Sequence, residues 1–194
     1  MSGAQGQHKQ RGDAGAVVLD QVNGELLTFT YGSLVVQLLE DLGSADGTNS
    51  QLERMGYSIG VRAVEEYLAR SRRGGHRCRT LRDAAEAIAS GAFPMFLGVT
   101  ASLRNELGPK DGNQGEITLV FGETPLTQYV ELPERWSKLH FANILCGAIR
   151  GALEMIQMRV ECYFEKDMLQ GADTNEIRII LKEILEDEKP PNDE

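Results

Sequence analysis

Hydrophobic positions along this chain follow two periods. Up to about residue 100 they recur every three or four residues, and beyond Gly115 many of them alternate. The first helical pattern covers residues 32–41, with Leu34, Val35, Leu38 and Leu39 facing inward. A second covers 50–71, with a stripe of Leu52, Met55, Ile59, Ala63, Tyr67 and Leu68 and with Gly56 and Gly60 one turn apart. An alanine-rich third pattern spans 81–95, where Pro94 predicts a stop or a kink. Alternation then predicts strands at 115–121, through Ile117, Leu119 and Phe121, and at 127–132, ended by Pro133. Val160, Cys162 and Phe164 mark a strand within 158–167, and Ile177, Ile179 and Leu181 mark one at 176–181. Turn-forming residues between these two predict a hairpin or near-hairpin.

A fourth helix, opening at Phe141, has almost no solvent face. Phe141, Leu145, Ala148, Ala152 and Met155 form its stripe, and Ile144, Ile149, Leu153 and Ile156 widen it. Asn143, Arg150 and Glu154 leave one narrow polar strip. Gly147 and Gly151 sit at its edge. Interior glycine costs a helix about 1 kcal/mol against alanine, so a close neighbour should offset it. Three neighbours fit both glycine pairs: another helix of this chain, a subunit, or a lipid between helices. The pattern as a whole predicts an α+β domain, an antiparallel sheet of four strands covered by a layer of about four helices.

Composition narrows the class. With 194 residues there is room for one domain with a sizeable core. Its expected extent is 25–187, between a flexible tail over 1–24 and an acidic tail over 188–194. A net charge of −9 argues against a general nucleic-acid surface. No run approaches the roughly 18 apolar residues of a membrane span. The three cysteines, Cys78, Cys146 and Cys162, lack metal-ligand spacing and read as reduced thiols of a cytosolic protein. His8, His76 and His140 are too scattered for a zinc site or a general base. Phosphate-cradling GxxxxGK[ST], GxGxxG and GxSxG motifs are absent. Neither a catalytic residue nor a metal ligand is assigned.

Cys78 is the sharpest single residue. Arg72, Arg73, Arg77, Arg79 and Arg82 surround it in sequence and would favour thiolate over thiol. Cys146 and Cys162 sit on inward positions of a helix and a strand and read as small core hydrophobes.

Several stretches resemble one known family. Asn143 to Gln157 is similar to the run N-L/I-L-C-G-x-x-R/K-G-A/S-L-E-M-x-Q, and Met55 to Ser71 resembles M-G-x-N-I-G-x-R-L-I-E-D-F-L-A-R. LLTFTYGSLVVQL from Leu26, AFPMFLGVT from Ala92 and PLTQYVELP from Pro125 add shorter matches in the same order. These runs belong to the third-subunit (BET-three) family of the transport protein particle, TRAPP, a vesicle-tethering complex. The resemblance implies a helical layer on a four-stranded antiparallel sheet and a fatty acyl chain on a loop cysteine, inserted into a hydrophobic tunnel. Counting back from Ala92 puts Cys78 at that cysteine, although the loop after Ser71 is two residues longer than the family's. No other cofactor is implied.

The resemblance further implies a non-enzymatic subunit that dimerises with related TRAPP subunits, as a homodimer when isolated. The assembly promotes nucleotide exchange on a Rab-family GTPase. It sits peripherally on cis-Golgi and endoplasmic-reticulum-derived membranes, on their cytoplasmic side. Candidate subunit-interface residues are Gly56, Gly60, Gly147, Arg150, Gly151 and Glu154. Candidates near the GTPase are Glu186, Asp187 and Glu188. The family's G-D-x-x-T-E-I is broken here by Ala172 and Asn175. Two other classes stay open: an acyltransferase with Cys78 as nucleophile, for which no base is evident, and a stand-alone fatty-acyl carrier.

Overall fold

The computed structural model describes residues 22–71, 78–106 and 115–185. Helix α1 (Gly24–Leu42) starts eight residues before the pattern predicts, because Asn23 caps it: its side chain accepts from the backbone N–H groups of Glu25 and Leu26. Gly43, at φ 63°, closes it. Ser44 then caps α2 (Ala45–Arg70), which starts five residues before the pattern predicts, so only Gly43 and Ser44 separate the two helices. The third helical body is continuous but changes pitch. It comprises α3 (Leu81–Ala87), a π-helical turn (Ile88–Ala92) and α4 (Phe93–Leu97). Pro94 opens α4 rather than ending a helix, because a proline in the first turn has no N–H bond to lose. The apolar helix is α5 (Ile144–Met155).

Strands β1 (Ser102–Glu106), β2 (Glu116–Phe121), β3 (Met158–Lys166) and β4 (Asn175–Ile184) form one antiparallel sheet in the order β1-β2-β4-β3. Ile117, Leu119, Val160, Cys162, Phe164, Ile177 and Ile179 point into the core beneath the helices. The α+β class therefore holds, but one predicted strand does not. Residues 127–132 are turns and coil. Thr127 and Gln128 donate their N–H groups to the Thr124 carbonyl, and Tyr129 takes φ 68°, which a strand cannot accommodate. The alternating apolar residues there still pack inward, with Leu126 buried and Val130 and Leu132 half-buried. The true fourth strand, β1, carries a single apolar side chain, Leu103, and so shows no alternation.

Each helix of the α2–α5 pair offers two glycines to the other's backbone. A Cβ on Gly56 or Gly60 would lie 2.0 Å from the carbonyl oxygen of Ile144 or Ala148. One on Gly147 or Gly151 would lie 2.0 or 2.3 Å from that of Glu53 or Tyr57. The matched residues ascend together, so the helices run the same way, and only glycine permits this approach.

Candidate lipid-attachment site and interaction surfaces

Cys78 enters just ahead of α3, half-buried and packed against the main core. A capping box fixes the chain there. Asp83 N–H donates to Thr80 Oγ1 at 3.1 Å, and the Asp83 carboxylate accepts from the backbone of Thr80 and Arg79 at 3.2 and 3.3 Å. The Thr80 hydroxyl and these N–H groups hold the Asp83 carboxyl below the usual carboxylate range. Arg79 lies beside the thiol in sequence, and Arg82 reaches Glu86 at 3.7 Å. Arg72, Arg73 and Arg77 lie outside the described residues.

The other two cysteines are chemically quiet. Burial pushes the thiols of Cys146 and Cys162 far above the ordinary range. Both are core groups, as their inward positions predict. Among the three, Cys78 alone is not deeply buried, and Arg79 follows it directly in sequence. Among the described residues no group of His, Cys, Asp or Glu is arranged to hold a metal ion. No helix among them is long and apolar enough to cross a membrane.

The interface residues predicted from the sequence need correction. Gly56, Gly60, Gly147 and Gly151 are buried in the chain's own α2–α5 crossing and have no surface left for a partner. Arg150 and Glu154 are half-exposed on the rim of that crossing, where the Arg150 guanidinium stacks 5.2 Å from the Tyr57 ring and approaches Glu53 at 3.4 Å. Glu186, Asp187 and Glu188 lie outside the described residues; the last residue before them, Leu185, donates its N–H to the Gln157 carbonyl at 2.8 Å. The departure at Asn175 has a structural role. Its buried amide donates to the Gly122 carbonyl at 2.9 Å and accepts from Met168 N–H at 3.0 Å, which ties the β3–β4 hairpin to the end of β2.

Sequence reasoning missed a different surface. Leu26, Phe29 and Val36 are exposed along α1, and Val22 is exposed just ahead of it, although the i, i+4, i+7 spacing of Val22, Leu26 and Phe29 is visible in the chain. Beside it lies an apolar groove of about 590 Å³, walled by Val36, Leu39, Leu132, Pro133 and Trp136. The segment forming its far wall is anchored: the Thr28 hydroxyl donates to the Pro125 carbonyl, and Tyr31 donates to the Phe141 carbonyl at 2.5 Å.

A four-helix layer on a β1-β2-β4-β3 antiparallel sheet, with a loop thiol at the foot of the third helix, defines the class. A model of the family described as transport protein particle (TRAPP) component matches residues 27–180, and the chain belongs to that family. It is 46% identical over 173 residues to trafficking protein particle complex subunit 3 of Dictyostelium discoideum, covering 89% of this chain and 90% of that one. It is 43% identical over 177 residues to transport protein particle subunit bet3 of Schizosaccharomyces pombe, covering 91% and 93%. The crystal structure of trafficking protein particle complex subunit 3 from Naegleria fowleri, covalently bound to palmitic acid, superposes with a TM-score of 0.79 at 47% identity. That match covers 86% of this chain and 99% of the other.

Proposed function

We propose that this chain is a non-enzymatic core subunit of a TRAPP vesicle-tethering assembly acting between the endoplasmic reticulum and the Golgi. It supplies surfaces to an assembly that promotes nucleotide exchange on a Rab-family GTPase, and it works as a dimer, homomeric when isolated. A fatty acyl group on Cys78, palmitate-like in length, enters an internal tunnel and is a structural part of the subunit. The observation that carries this reading is the combination of family membership over residues 27–180 with a half-buried Cys78 held at the foot of the third helix. The palmitate borne by the Naegleria protein supports the acyl assignment. A chain buried in this way contributes roughly 0.8 kcal/mol per CH₂, enough to retain it.

Two measurements test the proposal. Proteins co-purifying from native cells should be other TRAPP subunits, and a preparation without them overturns the assembly role. Intact mass should show one stable acyl adduct. Turnover with an added acyl thioester would instead favour an acyltransferase, and lipid extractable without cleaving a bond would favour a carrier.

A further inference from the structure

A pocket of about 420 Å³ opens where the turn segment after β2 meets the β3–β4 connection. Half-buried Val130, Met168 and Leu169 line it together with exposed Glu123, Tyr129 and Glu131. None of its lining residues is basic. Among the described residues, neither the Glu123 nor the Glu131 carboxylate has an ion pair or a hydrogen bond. Glu116, Glu165 and Glu176 on the sheet, by contrast, each meet an arginine. Tyr129 is 70% exposed at φ 68°. A ring held outward on so uncommon a backbone adds little to its own core.

The walls are preformed. Thr127 and Val130 donate their N–H groups to the carbonyls of Thr124 and Thr127 at 3.0 and 3.1 Å. The Gln128 amide donates to the Tyr129 hydroxyl at 3.2 Å. Met168 and Leu169 donate theirs to the side chains of Asn175 and Asp167 at 3.0 and 2.9 Å. An occupant therefore has little of this protein to order.

We propose that this pocket receives an arginine side chain from a segment of a partner polypeptide. Each part of the pocket answers a part of that side chain. The aliphatic stem lies on Val130, Met168 and Leu169. The guanidinium offers five donors in a planar fork to the two free carboxylates and stacks on the Tyr129 ring. A lysine has no planar group to stack. A metal ion needs six or more oxygen ligands when hard, and the apolar side chains here supply none. Among the described residues no group of three His, Cys, Asp or Glu could hold one. Free arginine carries a carboxylate that Glu123 and Glu131 would repel; within a polypeptide that group is a neutral amide. The chain's net charge of −9 repels anionic lipid and nucleic acid and attracts a basic segment. The site is independent of the lipid on Cys78.

The test titrates a short capped glycine–serine peptide with one central arginine into the isotope-labelled full chain and follows backbone amide shifts. Saturating shifts should gather at Tyr129, Glu131, Met168 and Leu169. The Glu123→Gln, Glu131→Gln double variant should bind about 10-fold more weakly or worse, the loss of one charge-assisted hydrogen bond or more. Tyr129→Asn, which tolerates the same backbone, should weaken binding about 2–5-fold. Glu134→Gln, an exposed carboxylate outside the pocket, should change nothing. All variants should melt like the wild type, since the altered side chains are exposed. Equal binding of the same peptide with neutral citrulline in place of arginine, or of the double variant, overturns the proposal. Equal binding of free arginine makes this a small-molecule site and overturns the polypeptide partner. Two results without peptide do the same: shifts of these amides on dilution would seat a second copy there, and shifts caused by Arg11→Gln would seat the chain's own N-terminal segment.

Discussion

Arg104 on β1 grips Glu176 on β4 across the intervening β2, with its two terminal nitrogens 2.8 and 2.5 Å from the two carboxylate oxygens. Glu176 is almost wholly buried, and Lys166 reaches it from β3 at 3.1 Å. One carboxylate thus ties three strands together on the face of the sheet opposite the helices. Arg178 continues the pattern, pairing with Glu165 at 2.8 Å and Glu116 at 3.0 Å. The Arg104 hydrogen bonds, then Lys166, outweigh burial and hold the Glu176 carboxyl at about 2, below its ordinary 4.5.

The first prediction follows from that depression. A carboxyl whose folded value lies below its unfolded one adds stability above the unfolded value, and the gain is lost as pH falls toward the folded value. Glu176 should therefore contribute fully above pH 4.5 and lose its contribution on the way down to about 2. Arg104→Ala removes the two-pronged partner and leaves Lys166 as the remaining cation on a buried carboxylate, which should cost about 1.5–3 kcal/mol near neutral pH. Urea unfolding of wild type and variant should show a gap that narrows as pH is lowered through that window. A gap of constant size would mean that Arg104 acts through packing alone.

The second prediction concerns the crossing. Gly147→Ala places a methyl group against the Glu53 carbonyl, which is backbone and cannot rotate away. Helices α2 and α5 must separate, so the substitution should cost about 3 kcal/mol, the upper end of ordinary overpacking. Gly151→Leu should prevent stable folding. Thermal melting of the isolated chain checks both. If these glycines served a partner instead, the melting temperature would hold and only association would fail.

Much of this fold was legible because burial imposed a period. The nearly all-apolar α5 could only be a covered helix, and Val160-Cys162-Phe164 and Ile177-Ile179-Leu181 could only be half-buried strands. Strand β1 was hidden because ion pairing secures it, and a salt link between Arg104 and Glu176, 72 positions apart, leaves no local pattern. Residues 127–132 misled for the converse reason: Leu126, Val130 and Leu132 pack inward from turns, and inward packing alone does not make a strand. The glycine pairs were visible, but their neighbour was not, since spacing cannot say whose backbone approaches. Cys78 was singled out by its arginine neighbours and the family resemblance, and its acylation is part of the proposal. The exposed apolar residues of α1 were overlooked because the predicted helix began at residue 32, which left Leu26 and Phe29 outside any element.

The third prediction concerns Glu186, Asp187 and Glu188, proposed to lie near the GTPase in the assembled complex. Clustered carboxylates there would engage the basic groups that hold nucleotide phosphate, or repel the phosphate and its Mg²⁺. Truncation after Leu185 should leave dimer mass and acyl mass unchanged and slow nucleotide release by the reconstituted complex. Release of a fluorescent nucleotide, followed at several salt concentrations, should show the largest effect at low ionic strength, where screening is weakest. Equal rates for both proteins at low salt would reduce these residues to a solubilising end.

The last prediction rests on Cys78. Of the three thiols it alone escapes deep burial, and the capping box at Thr80 and Asp83 fixes the chain just ahead of α3. Cys78→Ser keeps the size of the side chain and removes the only group that can form the thioester. The acyl adduct should disappear from the intact mass, while the Cys146→Ala and Cys162→Ala variants should keep it. Stability should fall by less than the full transfer energy of the chain, because the helices collapse partly into the space it leaves. For a domain of this size each kcal/mol lost lowers the melting temperature by about 2–4 °C. An adduct that survives in Cys78→Ser would place the lipid on another residue. A lost adduct with an unchanged melting temperature would mean that the acyl chain lies outside the core, against a surface and not among the helices.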